Sequence, residues 1–383
     1  MMRALVIALL AAGCVRVPSR SADAMSAVEK EPLGEDRLAF KWKFVTSDRL
    51  TEVAPQEFAA PAVWADTLYV GSAKGWFYAL RAANGEQRWR KQVGSVVCAP
   101  LVDRGILYVG TNDGYLVALD AQTGEEKWRY QSRGPIEQTT ASTGDLIVFA
   151  NEADQVVALD AIDGKFKWQY KSETPEEYTL RGHAGVTPDG DLVYTGFSNG
   201  TLVALRRDNG SVAWSTSLKA DAERFMDVDA TPIVIEGVLY ASSSSGGVYA
   251  IDKATGFVRW RLPFYDASMP SASGNVGGIA SDGETLYVSV ADLGTYAIDL
   301  GGNVLWRVGA RGGGEPATPV VFADMLVYSL ASAGLFVADR KTGETLEYFD
   351  PGEGISARPT ITGDGRLFAM SNRGILYAFD LEY

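Results

Sequence analysis

A unit of about forty residues recurs along nearly the whole chain, and nothing else in the sequence limits the fold so tightly. Its clearest copy spans 107–128 and reads Leu-Tyr-Val-Gly, then Asp-Gly-Tyr-Leu-Val-Ala-Leu-Asp, then Thr-Gly-Glu-Glu-Lys-Trp. Copies open at Leu68, Leu107, Leu146, Leu192, Leu239, Leu286, Leu326 and Leu367, which makes eight at intervals of 39 to 47 residues. In six of them a Gly stands four residues ahead of a Trp: Gly85/Trp89, Gly124/Trp128, Gly164/Trp168, Gly210/Trp214, Gly256/Trp260 and Gly302/Trp306. A repeat kept at this spacing requires one supersecondary unit used again and again.

Each unit holds four short runs, at 99–103, 106–110, 115–120 and 125–130 in the second copy. Apolar and polar residues alternate, β-branched and aromatic side chains are frequent, and Asp-Gly or Thr-Gly separates the runs. That pattern predicts hairpin-linked strands. Four antiparallel strands form a propeller blade, and a blade with two apolar faces is stable only when stacked between others. The Trp residues fall on the outermost strand, where each ring would bury ~150–250 Å² between blades. The last copy ends before any Trp strand, while Phe40-Lys41-Trp42-Lys43-Phe44 is a Trp strand with nothing ahead of it. Joining the two predicts an all-β, eight-bladed propeller over 40–383, closed by an N-terminal strand that removes two open sheet edges. The seventh copy breaks the rule: Glu347, beside Tyr348, takes the Trp place after Gly343.

The first residues carry an address. Arg3 precedes a nine-residue apolar run at 4–12, too short for the ~20 residues that cross a bilayer. The run ends in Leu10-Ala11-Ala12-Gly13-Cys14, which resembles a lipoprotein signal (residues 1–13) cut ahead of a Cys14 that receives lipid. The other reading is a plain secretory signal with an incidental Cys. Val15, rather than Asp, follows Cys14 and favours the outer membrane. Residues 14–39, rich in Ser, Ala, Glu and Pro, form a flexible tether. Cys98 is the one other cysteine and sits in an apolar run, as a buried inert thiol does. The net charge of −13 argues against nucleic acid and anionic membrane surfaces as partners, leaving the lipid as the only membrane contact.

No catalytic set is legible. The single His, His183, excludes mechanisms and metal sites that need two, and no nucleophile elbow lies near it. Asp120, Asp160, Asp252, Asp299, Asp339 and Asp380 recur after the third strand, where a carboxylate bonds the backbone of the next turn. Gly-rich stretches have no helix behind them and make no phosphate cradle. No cofactor and no metal are expected. The repeat is similar to that of quinoprotein dehydrogenases, which hold pyrroloquinoline quinone and calcium at a propeller mouth. Their vicinal Cys pair and calcium-binding acids are not found here, so the resemblance reaches the scaffold alone.

The copies differ in one respect that bears on function. The spacing swells from 39 to 46 and 47, and the extra residues fall at 171–186, 219–231 and 262–276. All three connect one blade to the next and therefore emerge on one face, at adjacent blades, as docking surfaces on repeat proteins do. Neutral loop drift is the alternative for any one of them. The first loop groups Tyr178, Leu180 and Arg181, types suited to an interface centre, and the second sets Asp227 and Asp229 two apart. Arg181 pairs either with one of these acids or with a partner.

At these residues the chain resembles the BamB family of outer-membrane β-barrel assembly lipoproteins. The signal, the tether, the eight repeats and the seventh blade without Trp all fit. The specific motifs are Leu180-Arg181-Gly182 and Asp227-Val228-Asp229-Ala230-Thr231-Pro232. The resemblance implies a non-catalytic scaffold, anchored by lipid on the periplasmic side of the outer membrane. It implies contacts with the POTRA region of BamA and with other barrel-assembly subunits, as one copy within a hetero-complex, beside unfolded outer-membrane clients. Leu180, Arg181, Asp227 and Asp229 match the family's partner-binding pattern directly. Tyr178 stands where the family often has an aliphatic residue.

Overall fold

In a computed structural model, residues 37–46, 56–173, 184–219, 227–243, 247–264, 275–310 and 314–382 are described. They form eight four-stranded antiparallel sheets arranged as an eight-bladed propeller. The first blade comprises Ala62–Trp64, Thr67–Gly71, Trp76–Arg81 and Gln87–Gln92, from the central channel outward. Six further blades follow the same order, at 101–131, 141–171, 187–217, 233–262, 276–308 and 320–349. The eighth takes its three inner strands from Thr360–Ile361, Arg366–Met370 and Ile375–Leu381, and its outer strand from Leu38–Val45. The closing strand starts two residues ahead of Phe40, the boundary expected from sequence.

Only the outer strands alternate between exposed and covered residues, as in Glu126–Gln131. The two middle strands are covered on both faces, so Thr67–Gly71 is buried at every position. The sequence pattern predicts alternation throughout. The difference follows from the stacking of blades, which leaves a middle strand no solvent face. The core accordingly lies between blades. Tyr69, Phe77 and Ala79 of the first blade pack on Leu107, Val109, Val117 and Leu119 of the second. Leu68, Val70 and Tyr78 pack in turn on Phe368, Met370 and Leu376 of the eighth.

The Trp and Gly of the repeat meet across these junctions. Each Trp ring lies on the Gly turn of the following blade: Trp42 on Gly85, Trp89 on Gly124, Trp128 on Gly164, Trp168 on Gly210, Trp214 on Gly256, Trp260 on Gly302 and Trp306 on Gly343. A Cβ at Gly124 would stand 2.8 Å from the Trp89 ring, and its φ of +72° suits glycine alone. The indole Nε1 of Trp89 donates to the Ala121 carbonyl in the same turn. Trp42, Trp168, Trp214, Trp260 and Trp306 donate to the matching carbonyls of Ala82, Arg207, Lys253, Leu300 and Arg340. A Tyr hydroxyl from the second strand of the same blade often shares that carbonyl, as Tyr69 does at Ala121 and Tyr194 at Lys253. At Ala161 the Tyr108 hydroxyl donates and Trp128 Nε1 has no partner among the described residues.

A bulge stands ahead of each Trp, and in four blades it turns a Lys or Arg toward the Asp that ends the third strand or, in the eighth blade, stands one residue before its end. Lys127 pairs with Asp120 at 3.2 Å, Lys167 with Asp160 at 3.1 Å and Arg259 with Asp252 at 2.6 Å. The Asp also caps its turn: Asp120 Oδ1 accepts from the Gln122 and Thr123 amides, both at 3.0 Å. Arg259, then the Thr255 hydroxyl and turn amides, pull the Asp252 carboxyl down to about 2. Asp380 departs from the turn role expected of it, because it lies inside Ile375–Leu381, paired on one side with the closing strand; its carboxylate pairs with Lys41 at 2.8 Å on the bulge of that strand.

The Glu at the seventh Trp place has its cause here. The eighth blade has no turn between its third and outer strands, since these come from opposite ends of the chain. A Trp would find no Gly turn to cover. Two backbone amides at the start of the closing strand need an acceptor instead, and Glu347 Oε2 takes Arg37 N at 2.5 Å and Leu38 N at 2.6 Å. Donor and acceptor have changed sides because the chain is cut there. Two outcomes follow. Gly124→Ala should cost about 2–4 kcal/mol, from a strained φ and a clash with Trp89, seen as a lower thermal midpoint. Glu347→Trp should destabilise by about 1–3 kcal/mol, because the Arg37 and Leu38 amides lose their acceptor. A midpoint equal to or above the parent's would refute this account of Glu347.

Candidate docking face

The three long connections leave the outer strands ending at Lys171, Ser217 and Leu262 and enter the inner strands starting at Thr187, Ile233 and Val276. Tyr178, Leu180, Arg181 and His183 lie outside the described residues. The first connection is fixed at its start. Ser172 N donates to the Asp154 carbonyl at 2.9 Å, and Asn199 Nδ2 donates to Ser172 Oγ at 3.0 Å. The second is fixed at its end by Val228, whose side chain presses on Gly196, where a Cβ would meet Val228 Cγ1 at 2.2 Å. Val96 on Gly71 and Ile136 on Gly110 repeat this contact in other blades. An aliphatic side chain docked on a bare backbone thus fixes how each connection enters the ring.

Because Val228 points into the core, its neighbours Asp227 and Asp229 are held on the other side of an extended segment. Asp227 is 1% exposed. Asp229 is partly open to solvent over the whole residue, but its carboxyl is enclosed and Oδ1 accepts no hydrogen bond among the described residues. Burial, then the charges of Asp227, Glu315 and Glu152, push its pKa from 3.8 up to about 8. The structure therefore brings Asp227 and Asp229 into one electrostatic field, joined by Glu152 from a turn of the third blade and Glu315 from the connection into the seventh. Asn275, at the end of the third long connection, donates through Nδ2 to Glu315 Oε1 at 3.4 Å. Glu152 and Glu315 were not legible as site residues, since separate blades supply them and no local motif marks either.

Such a site can hold a guanidinium or ammonium group. Among the described residues no group of three or more His, Cys, Asp or Glu is placed to hold a metal ion. The Cys98 thiol is buried and pushed up to about 12 by burial, which leaves it unreactive.

The chain matches the family model for the outer membrane protein assembly factor BamB over residues 41–144 and 100–301. That match covers more than half its length. The chain belongs to the BamB family. A family relative from Burkholderia pseudomallei is 28% identical over 337 residues, covering 84% of this chain and 83% of the relative. One from Alkalilimnicola ehrlichii is 29% identical over 209 residues, covering 53% and 52%. The chain spans about half the length of that relative and of most other curated family members it matches. The crystal structure of BamB from Moraxella catarrhalis superposes with a TM-score of 0.73 at 20% identity, covering 90% of this chain and all of that one. Family membership, rather than the propeller shared with quinoprotein dehydrogenases, decides between the two readings of the repeat.

The Asp229 shift fixes a pH dependence. A carboxyl raised in the folded state stabilises the fold fully below pH 3.8, and that contribution is lost as pH climbs toward 8. Asp229→Asn removes the loss. Its thermal midpoint should match the parent's at low pH and exceed it by about 3 °C or more at pH 9. Coincident midpoints at pH 9 would show that the carboxylate is compensated in the folded protein.

Proposed function

We propose that this protein is a non-catalytic scaffold of outer-membrane barrel assembly, and that its long-connection face grips the POTRA region of BamA. The observation that carries the reading is the Asp227–Asp229 pair, enclosed on that face and rich in negative charge, in a chain of the BamB family. Leu180 and Tyr178 serve as apolar anchors, and Arg181, Asp227 and Asp229 set orientation and charge selectivity. Lipid on Cys14 and the tether to residue 39 hold the ring at the periplasmic side of the outer membrane. Other barrel-assembly subunits and unfolded clients come to the platform so formed. The ring then raises the rate of barrel insertion by holding its partner in place, with no bond made or broken.

Co-purification with BamA tests this directly. The parent protein should retain BamA. Arg181→Glu should reduce retention at least tenfold, since a reversed charge at an interface centre costs several kcal/mol, while the thermal midpoint stays unchanged. Full retention by a folded Arg181→Glu protein would remove these loops from the interface.

A further inference from the structure

The inner strands of all eight blades enclose a central channel of about 930 Å³. Its wall is aliphatic, with Val63, Val186, Ile235, Val320 and Ile361, and is relieved by neutral groups such as Gln138, Thr139 and Ser281. Among the described residues one lining residue is charged: Arg358, two residues ahead of the eighth inner strand, with no Asp, Glu, Lys or His beside it in the wall.

Strand pairing locates Arg358 within the repeat. In each blade the second-strand residue that faces the third-strand Ala (Val337 in the seventh blade) also pairs with one inner-strand residue, as Tyr69 pairs with Ala62 and Phe368 with Thr360. Two residues ahead of that partner, the eight blades carry Ala60, Ala99, Thr139, Gly185, Thr231, Gly278, Thr318 and Arg358. Seven of the eight are small, and packing between blades gives the reason. The Gly185 amide donates to Thr231 Oγ1 at 3.0 Å, and a Cβ at Gly278 would stand 2.1 Å from Thr318 Oγ1. The ring therefore selects against bulk at this level and offers no reason for a guanidinium. Among the described residues Arg358 makes no hydrogen bond and no ion pair. Over the whole residue Arg358 is exposed, while desolvation beside the channel wall pulls its pKa below the usual value.

A guanidinium set against an aliphatic wall, partly desolvated and without a counter-charge among the described residues, favours an incoming anion. Its fork of donors also matches a carboxylate or phosphate in two-point contact, and low-dielectric walls focus its field along the bore. We propose that the channel binds a small oxyanion carried on a compact apolar body, a carboxylate or a phosphate monoester, with Arg358 holding the oxyanion and the aliphatic wall its body. The space suits a ligand of that size. Arg358 belongs to none of the connections argued to hold BamA, so either assignment can fail alone.

Calorimetric titration of the purified protein at low ionic strength with benzoate, phenyl phosphate and neutral benzamide tests the assignment. One equivalent of benzoate or of phenyl phosphate should bind, with benzamide roughly tenfold weaker or worse. The tighter of the two anions identifies the oxyanion class. Arg358→Gln should weaken the anions about tenfold while raising or preserving the thermal midpoint. Arg358→Lys, which keeps the charge and loses the fork, should fall between, and Arg366→Gln, a surface residue paired with Asp364, should bind as the parent does. Absence of heat from both anions, equal affinity for benzamide, or unchanged affinity in both Arg358 variants would overturn the proposal.

Discussion

The ring depends on one contact, repeated from blade to blade: an indole laid on a glycine turn, with its N–H given to a carbonyl of the same turn. It fixes distance and orientation together. The ring accepts only a bare backbone beneath it, and the carbonyl accepts only a donor at the right height. The Tyr of the second strand often reaches the same oxygen, so two strands of one blade converge on one atom of the next. Hydrophobic burial between middle strands supplies most of the cohesion, but it does not choose register. The indole does, and in four blades the bulge ahead of it turns a basic neighbour toward an Asp at the end of the third strand.

Where the chain is cut, this contact cannot be made, and the structure shows how closure is managed without it. Glu347 occupies the Trp place and reverses the polarity of the bond, accepting two amides where its counterparts donate to a carbonyl. Its partners are 310 and 309 residues away. The chain ends are thus joined by a β-ladder on one side, from Leu38 to Val45 against Leu381 to Ile375, and by a carboxylate bridge to the preceding blade on the other. Closure uses donors that any free strand end exposes.

This contrast explains what could be read from the sequence. Blade number, strand order, the closing strand and the Gly–Trp spacing are local and periodic, so they are visible in the chain. The exception at Glu347 was visible as an exception, but its meaning required Arg37 and Leu38 beside it. The capping role of the recurrent Asp holds where a turn follows and lapses at Asp380, which lies inside a strand. The alternation expected of the middle strands fails because the second face of a blade is covered by another blade, a fact of assembly and not of the strand. Likewise Asp227 and Asp229 were legible as neighbours, whereas Glu152 and Glu315 join them only after folding.

A departure from the repeat is therefore not by itself a sign of function, and the structure supplies a way to sort departures. Glu347 satisfies two amides and makes the fold better, so the ring explains it in full. Asp229 and Arg358 do the reverse. Among the described residues Asp229 encloses a carboxyl oxygen that accepts no hydrogen bond, and Arg358 sets a guanidinium without a counter-charge in the channel, at positions where a neutral residue would serve the ring as well or better. A fold under selection for stability alone sheds such groups, since replacing them costs nothing in packing and recovers the desolvation they impose. Their retention is accounted for when a counter-charge arrives from outside the ring: a cation for the acids on the long-connection face, an oxyanion for the guanidinium in the bore. On the two proposed assignments the sites differ in sign, so a partner of one does not compete for the other's place.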